Sequence, residues 1–94
     1  MLLPRGRYRF EGRAKTKGVE PLPFGTHQGA GLRVGSMVRG GEGITGTGDW
    51  RKLTTEFNIE PIMKETDLIC ELRARAGEVW FDLPSLILIK IDKL

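Results

Sequence analysis

Polarity along this 94-residue chain alternates at every second position, and no segment carries the 3.6-residue apolar stripe of an amphipathic helix. Over residues 7–17, Tyr8, Phe10, Gly12, Ala14 and Thr16 interleave with Arg7, Arg9, Glu11, Arg13 and Lys15. That pattern puts one set on each face of a half-buried antiparallel strand. Residues 29–39 repeat it, with Ala30, Leu32, Val34, Ser36 and Val38 against Arg33, Met37 and Arg39. Residues 50–59 give the cleanest case: Leu53, Thr55, Phe57 and Ile59 point inward, while Lys52, Thr54, Glu56 and Asn58 point outward. Pro61, which cannot donate to a ladder, is expected to close that strand, and residues 61–66 offer at most one short turn.

Residues 67–75 turn Leu68, Cys70, Leu72 and Ala74 inward. Gly77 makes a tight turn into residues 78–83, and Pro84-Ser85 leads into residues 86–91. That last run is apolar on both faces, which predicts a central or doubly covered strand. Residues 19–28 and the glycine-rich residues 40–48 read as connections. Six short extended runs with Gly/Pro punctuation and no helix predict an all-β antiparallel β-sandwich.

Length and composition narrow the field. The chain is long enough for one small domain, residues 1–94, which buries about 60–65% of the surface its unfolded form exposes. One Cys and one His exclude an intrachain disulfide framework and the usual structural zinc sites. The longest apolar stretch, residues 86–89, is far short of a membrane span. Met1-Leu2-Leu3 runs directly into Pro4-Arg5, so the start of the chain does not read as a signal peptide, and the compartment is left open. Charge is uneven: residues 1–17 hold six Lys/Arg and one Glu, while the remainder holds nine Lys/Arg and eleven Asp/Glu. Either a solvated strand face or a polyanion site through Arg5, Arg7, Arg9, Arg13 and Lys15 has this pattern. A nucleic-acid binder is expected to carry a broader basic face with stacking aromatics.

Two strings carry a family resemblance. Gly46-Thr47-Gly48-Asp49-Trp50-Arg51-Lys52-Leu53-Thr54-Thr55-Glu56-Phe57 is followed by Gly77-Glu78-Val79-Trp80-Phe81-Asp82. Together they resemble the G-x-x-D-W … F … G-x-x-W-F-D pattern of galactose-binding-domain-like jelly rolls, which include carbohydrate-binding modules of polysaccharide-degrading enzymes. Tyr8-Arg9-Phe10 and Lys15-Thr16-Lys17-Gly18-Val19 look like that family's first conserved stretch, so the similarity runs from about Arg7 to Ile91. The resemblance implies a jelly-roll-like sandwich whose opening strands are missing here, a parent protein that is secreted or on the cell surface, and a sheet edge left for homo-oligomer pairing. It also implies that Asp82 helps hold a structural calcium ion. Calcium needs six to eight oxygen ligands, so Asp82 cannot make that site alone. A local hydrogen bond to the Pro84-Ser85 turn is the other reading of Asp82.

The residues themselves offer few chemical sites. By alternation Trp50 lies opposite the apolar face, where an indole can stack on a sugar ring; equally, it can cap the end of the sandwich. Arg33, Arg39, Lys52, Glu56, Glu71, Arg73 and Arg75 alternate outward, either as a shallow polar groove or as a solvated face of ion pairs. The sugar-binding candidates are therefore Trp50, Arg33, Glu71 and Arg73. Gly41-Glu42-Gly43-Ile44-Thr45-Gly46 matches G-x-G-x-x-G, but a strand follows where a dinucleotide site needs a helix. His27 reads as a loop residue, Cys70 as a small buried hydrophobe, and no pair of carboxylates marks glycoside hydrolysis. The expected function is a non-catalytic carbohydrate-binding domain that anchors a parent protein to a glycan, with no cofactor beyond the calcium the resemblance implies. The alternative is a structural or protein-interaction β-sandwich without a sugar site.

Overall fold

Strong alternation makes long strands. The computed structural model describes residues 1–25, 28–35 and 43–94, and these form β1 (Leu2–Glu20), β2 (Gly29–Val34), β3 (Gly46–Glu65), β4 (Leu68–Arg73) and β5 (Ala76–Asp92). All pairings are antiparallel: one sheet has the order β3-β1-β5 and the other pairs β2 with β4. Ile44 extends the small sheet through a bridge to Ala30, with reciprocal 2.9 Å hydrogen bonds. Among the described residues there is no helix, and so none long and apolar enough to cross a membrane.

The two sheets bury their alternate residues against each other. Tyr8, Phe10 and Ala14 of β1, Leu53, Phe57 and Ile59 of β3, and Ala30, Leu32 and Val34 of β2 form one buried cluster. Tyr8 and Phe57 are ladder partners, and their rings stack at 5.6 Å. The Tyr8 hydroxyl donates to the Pro4 carbonyl at 2.6 Å, so the phenol keeps a polar partner inside the apolar layer. At one end Met1 and Thr66 exchange backbone hydrogen bonds, and Gly35 donates to the Asp67 carbonyl at 2.7 Å, tying the small sheet to the large one.

Three strand expectations are corrected. Pro61 does not close β3, which continues to Glu65. The register jumps from Gly6↔Ile59 to Pro4↔Met63, so Pro61 sits in an irregularity of an edge strand, where its missing N–H leaves no ladder partner unsatisfied. Residues 61–66 are accordingly strand rather than turn up to Glu65. Residues 78–83 and 86–91 are one strand, because β1 pairs with both sides of the Pro84-Ser85 irregularity. Finally, the run 86–91 lies at the edge of the large sheet and not at its centre. Its inward residues Leu86 and Leu88 are only partly buried, as are Val79 and Phe81. The expected residues 36–39 of the second run lie outside the described residues.

Glycine eases one close approach and is required at another. A Cβ on Gly12 would run into Leu86 Cδ2, so the absence of a side chain lets Leu86 fold over β1. Gly77 has φ of 120°, and a Cβ there would stand 2.5 Å from Val19 Cα.

Candidate functional site

The outward face of the three-stranded sheet is set by its register. Successive rows run Glu56–Arg9–Ile89, Thr54–Glu11–Ile87 and Lys52–Arg13–Asp82 across β3, β1 and β5. In the next row Lys15 faces Trp80 directly. On the β3 side the pairing passes from Ala14↔Arg51 to Thr16↔Gly48, so Asp49 and Trp50 together oppose the single residue Lys15. This bulge keeps Trp50 on the side of Lys52. Two indoles, 45% exposed at Trp50 and 44% at Trp80, thus flank Lys15 on one face. Their strands are two spacings apart, about 9–10 Å.

A shallow pocket adjoins this aromatic row. Between Arg13↔Asp82 and Glu11↔Ile87, β1 advances by Gly12 alone while β5 inserts Leu83, Pro84, Ser85 and Leu86. The surplus throws Leu83 outward, 72% exposed, and turns Ser85 back to the ladder. Ser85 Oγ accepts from the Arg13 amide at 2.8 Å and donates to the Asp82 carbonyl at 2.6 Å. The opening is a pocket of about 200 Å³ lined by Glu11, Gly12, Arg13, Lys52 and Ser85. Glu11 is only 9% exposed; its Oε2 lies 3.2 Å from Lys52 Nζ but has no aligned hydrogen-bond donor.

Asp82 gives its carboxylate to the Arg13 guanidinium, and its carbonyl makes the local turn bond to Ser85. Among the described residues no group of three or more His, Cys, Asp or Glu converges to hold a metal. The donor set around Asp82, one carboxylate already facing a cation, does not fit the oxygen cage that calcium requires.

The four sugar-site candidates do not come together. Arg33 and Glu71 pair at 3.0 Å on the outer side of the small sheet, and Arg33 also donates to the Gly35 carbonyl. Arg73 shares the outward alternation of Glu71 on β4, with its guanidinium over Gly25. Because the sheets meet through their inner faces, these three lie on the side of the molecule opposite Trp50. The shared groove is thereby corrected to two separate faces, with Lys52 and Glu56 on the face that carries Trp50; Arg75 pairs with Glu20 at 3.5 Å. Arg39 and His27, and part of the glycine motif at residues 41–46, lie outside the described residues.

Three of the six Lys/Arg in residues 1–17 meet a described carboxylate. Arg7 reaches Glu56 at 3.1 Å, Arg9 reaches the same carboxylate at 3.9 Å, and Arg13 takes Asp82. Arg5 donates to the Glu60 carbonyl. Sequence reasoning placed Lys15 on the charged face of its strand but assigned Trp80 no outward position, since only strand pairing shows that they are neighbours. It did not single out Glu11 or Ser85, whose association depends on the inserted residues of β5. Burial raises the pKa of the half-buried Cys70 thiol above its ordinary value. Comparison of the chain with protein-family models, with curated proteins and with solved structures returns no match.

Proposed function

We propose that this chain is a non-catalytic, jelly-roll-like carbohydrate-binding domain that holds a glycan on the outward face of β3, β1 and β5. The observation that carries this reading is the placement of Trp50 and Trp80, half exposed, on either side of Lys15. Indole faces pack against the C–H faces of pyranose rings, and adjacent polar groups then take the hydroxyls. The resemblance of the two tryptophan strings to galactose-binding-like modules points the same way. Arg33, Glu71 and Arg73 are not part of this proposed surface.

Affinity electrophoresis through gels containing neutral soluble polysaccharides tests the proposal. Retardation of the wild-type chain that falls about tenfold in affinity in Trp50→Ala and Trp80→Ala is the expected result. A chain that migrates freely through a broad set of glycans would refute it.

The protein-interaction reading has its own support in the β5 edge. Leu83 is 72% exposed and Ile87 46%, and among residues 86–91 only Lys90 is charged. The opposite edge, β3, carries Lys52, Glu56, Glu60, Lys64 and Pro61, the residues that discourage strand addition. On this reading β5 pairs with a second copy, giving a dimer whose fraction rises with concentration in light scattering. A monomer throughout the micromolar range, unchanged by Ile87→Lys, would exclude it.

A further inference from the structure

We infer that the pocket between Glu11, Arg13, Lys52 and Ser85 is a hydroxyl-reading subsite, which restricts the glycan to uncharged sugars bearing adjacent free hydroxyls. This rests on the glycan reading of the neighbouring indoles and assigns them a ligand class.

The argument begins with Glu11. Its position on the outward alternation of β1 would ordinarily leave a carboxylate in water, yet the residue is only 9% exposed. Burial removes solvent donors, and Oε2 receives no aligned donor from the protein in their place. That oxygen is itself closed to solvent with Lys52 Nζ against it; once the lysine turns aside, it accepts an arriving O–H with little hydration to give up. Lys52 Nζ stands 3.2 Å from Oε2, and its side chain is 63% exposed, so it can turn and donate to an oxygen of the ligand. The carboxylate then accepts one hydroxyl while the ammonium donates to its neighbour, the complementary pair that adjacent hydroxyls satisfy.

Charge selects against acidic sugars. Lys52 faces Glu11 and Arg13 faces Asp82, so both cations bordering the pocket are already balanced. A uronate or sulfate entering here meets the Glu11 carboxylate, and the nearest cation without a described carboxylate partner, Lys15, stands one row away between the indoles and outside the pocket. The site also lies one row from the indoles: Lys52 is two residues from Trp50, and Asp82 two from Trp80, about 7 Å along each strand. A sugar resting on either ring therefore presents its substituents at the pocket mouth.

Isothermal titration with neutral glucans, mannans and xylans, with polygalacturonate, and with a partly O-methylated form of the neutral polymer bound best, tests the inference. The wild-type chain is expected to prefer the neutral polymer over both polygalacturonate and the methyl ether. Glu11→Gln and Lys52→Met are each expected to weaken neutral-polymer binding about tenfold and to reduce discrimination against the methyl ether. Lys52→Met alone strands the buried Glu11 carboxylate, so the double variant Glu11→Gln/Lys52→Met, which removes both charges together, decides the matter where either single variant lowers the yield of folded protein. If the tryptophan variants lose binding while the folded pocket variants keep full affinity, the subsite is wrong and the glycan face stands. Equal or tighter binding of polygalacturonate likewise overturns the subsite alone. No binding to any polymer removes both.

Discussion

Lys15 and Trp80 are direct ladder partners between β1 and β5, and no described carboxylate pairs with that lysine. A cation therefore stands beside a half-exposed indole on the face proposed to hold the ligand. The pair exists only through strand pairing, since sixty-four other residues separate its members in the sequence.

The lysine should be visible in tryptophan fluorescence. Iodide is drawn toward a positive charge, whereas neutral acrylamide is indifferent to it. Lys15→Glu is expected to lower the iodide quenching constant about twofold at low salt, with acrylamide quenching unchanged. Equal loss with both quenchers would mean that the substitution had rearranged the indoles instead.

Gly77 supports the start of β5 through its backbone. With φ at 120° and Val19 Cα 2.5 Å from the position of a Cβ, Gly77→Ala adds both strain and a clash against main chain. The expected loss is about 2–4 kcal/mol in urea unfolding. A change below about 0.5 kcal/mol would show that the β1–β5 approach is looser than described.

Two isoleucines of β3 separate core from surface. Ile59 is 0% exposed and Ile62 is 77% exposed. Ile59→Ala should cost about 2–5 kcal/mol, a large share of a small domain's total, whereas Ile62→Ala should stay within about 0.5 kcal/mol. Comparable losses at both sites, measured by thermal or urea unfolding, would contradict this packing.

Asp82 makes a surface ion pair with Arg13, whose side chain is 56% exposed. Asp82→Asn should therefore lower stability by no more than about 1 kcal/mol. Millimolar calcium is expected to leave the melting temperature of the wild-type chain unchanged. A calcium-dependent rise that disappears in Asp82→Asn would restore the cation role that the resemblance implies for this residue.

Alternation was enough to reveal the β-rich class and the inward sets Tyr8–Phe10–Ala14 and Leu53–Phe57–Ile59, because period-two burial is a local property of the chain. Strand ends were less legible. Pro61 signals a stop only where its N–H would be needed, and on the outer edge of β3 it is not. The apolar run 86–91 suggested a central position, but sheet order follows from pairing across more than 70 residues, as in Glu11↔Ile87. The same limit governed the site. Trp50, Arg33, Glu71 and Arg73 all alternate outward, and outward means opposite directions on two packed sheets.

Cys70 provides a last check on the inner layer. Desolvation raises its pKa because the thiolate loses more hydration than the neutral thiol does. Below the ordinary thiol pKa both folded and unfolded chains keep the proton, and the stability associated with the neutral thiol is fully present. As pH rises, the unfolded chain ionises first, so that stability declines and is lost through the higher folded pKa. Above about pH 8.5 the wild-type chain should thus lose stability more steeply than Cys70→Ala does, in parallel urea titrations. Iodoacetamide at pH 8 should label the folded chain several-fold more slowly than the same chain in urea. Equal labelling rates in the two states would place the thiol in water and remove it from the interface between the sheets.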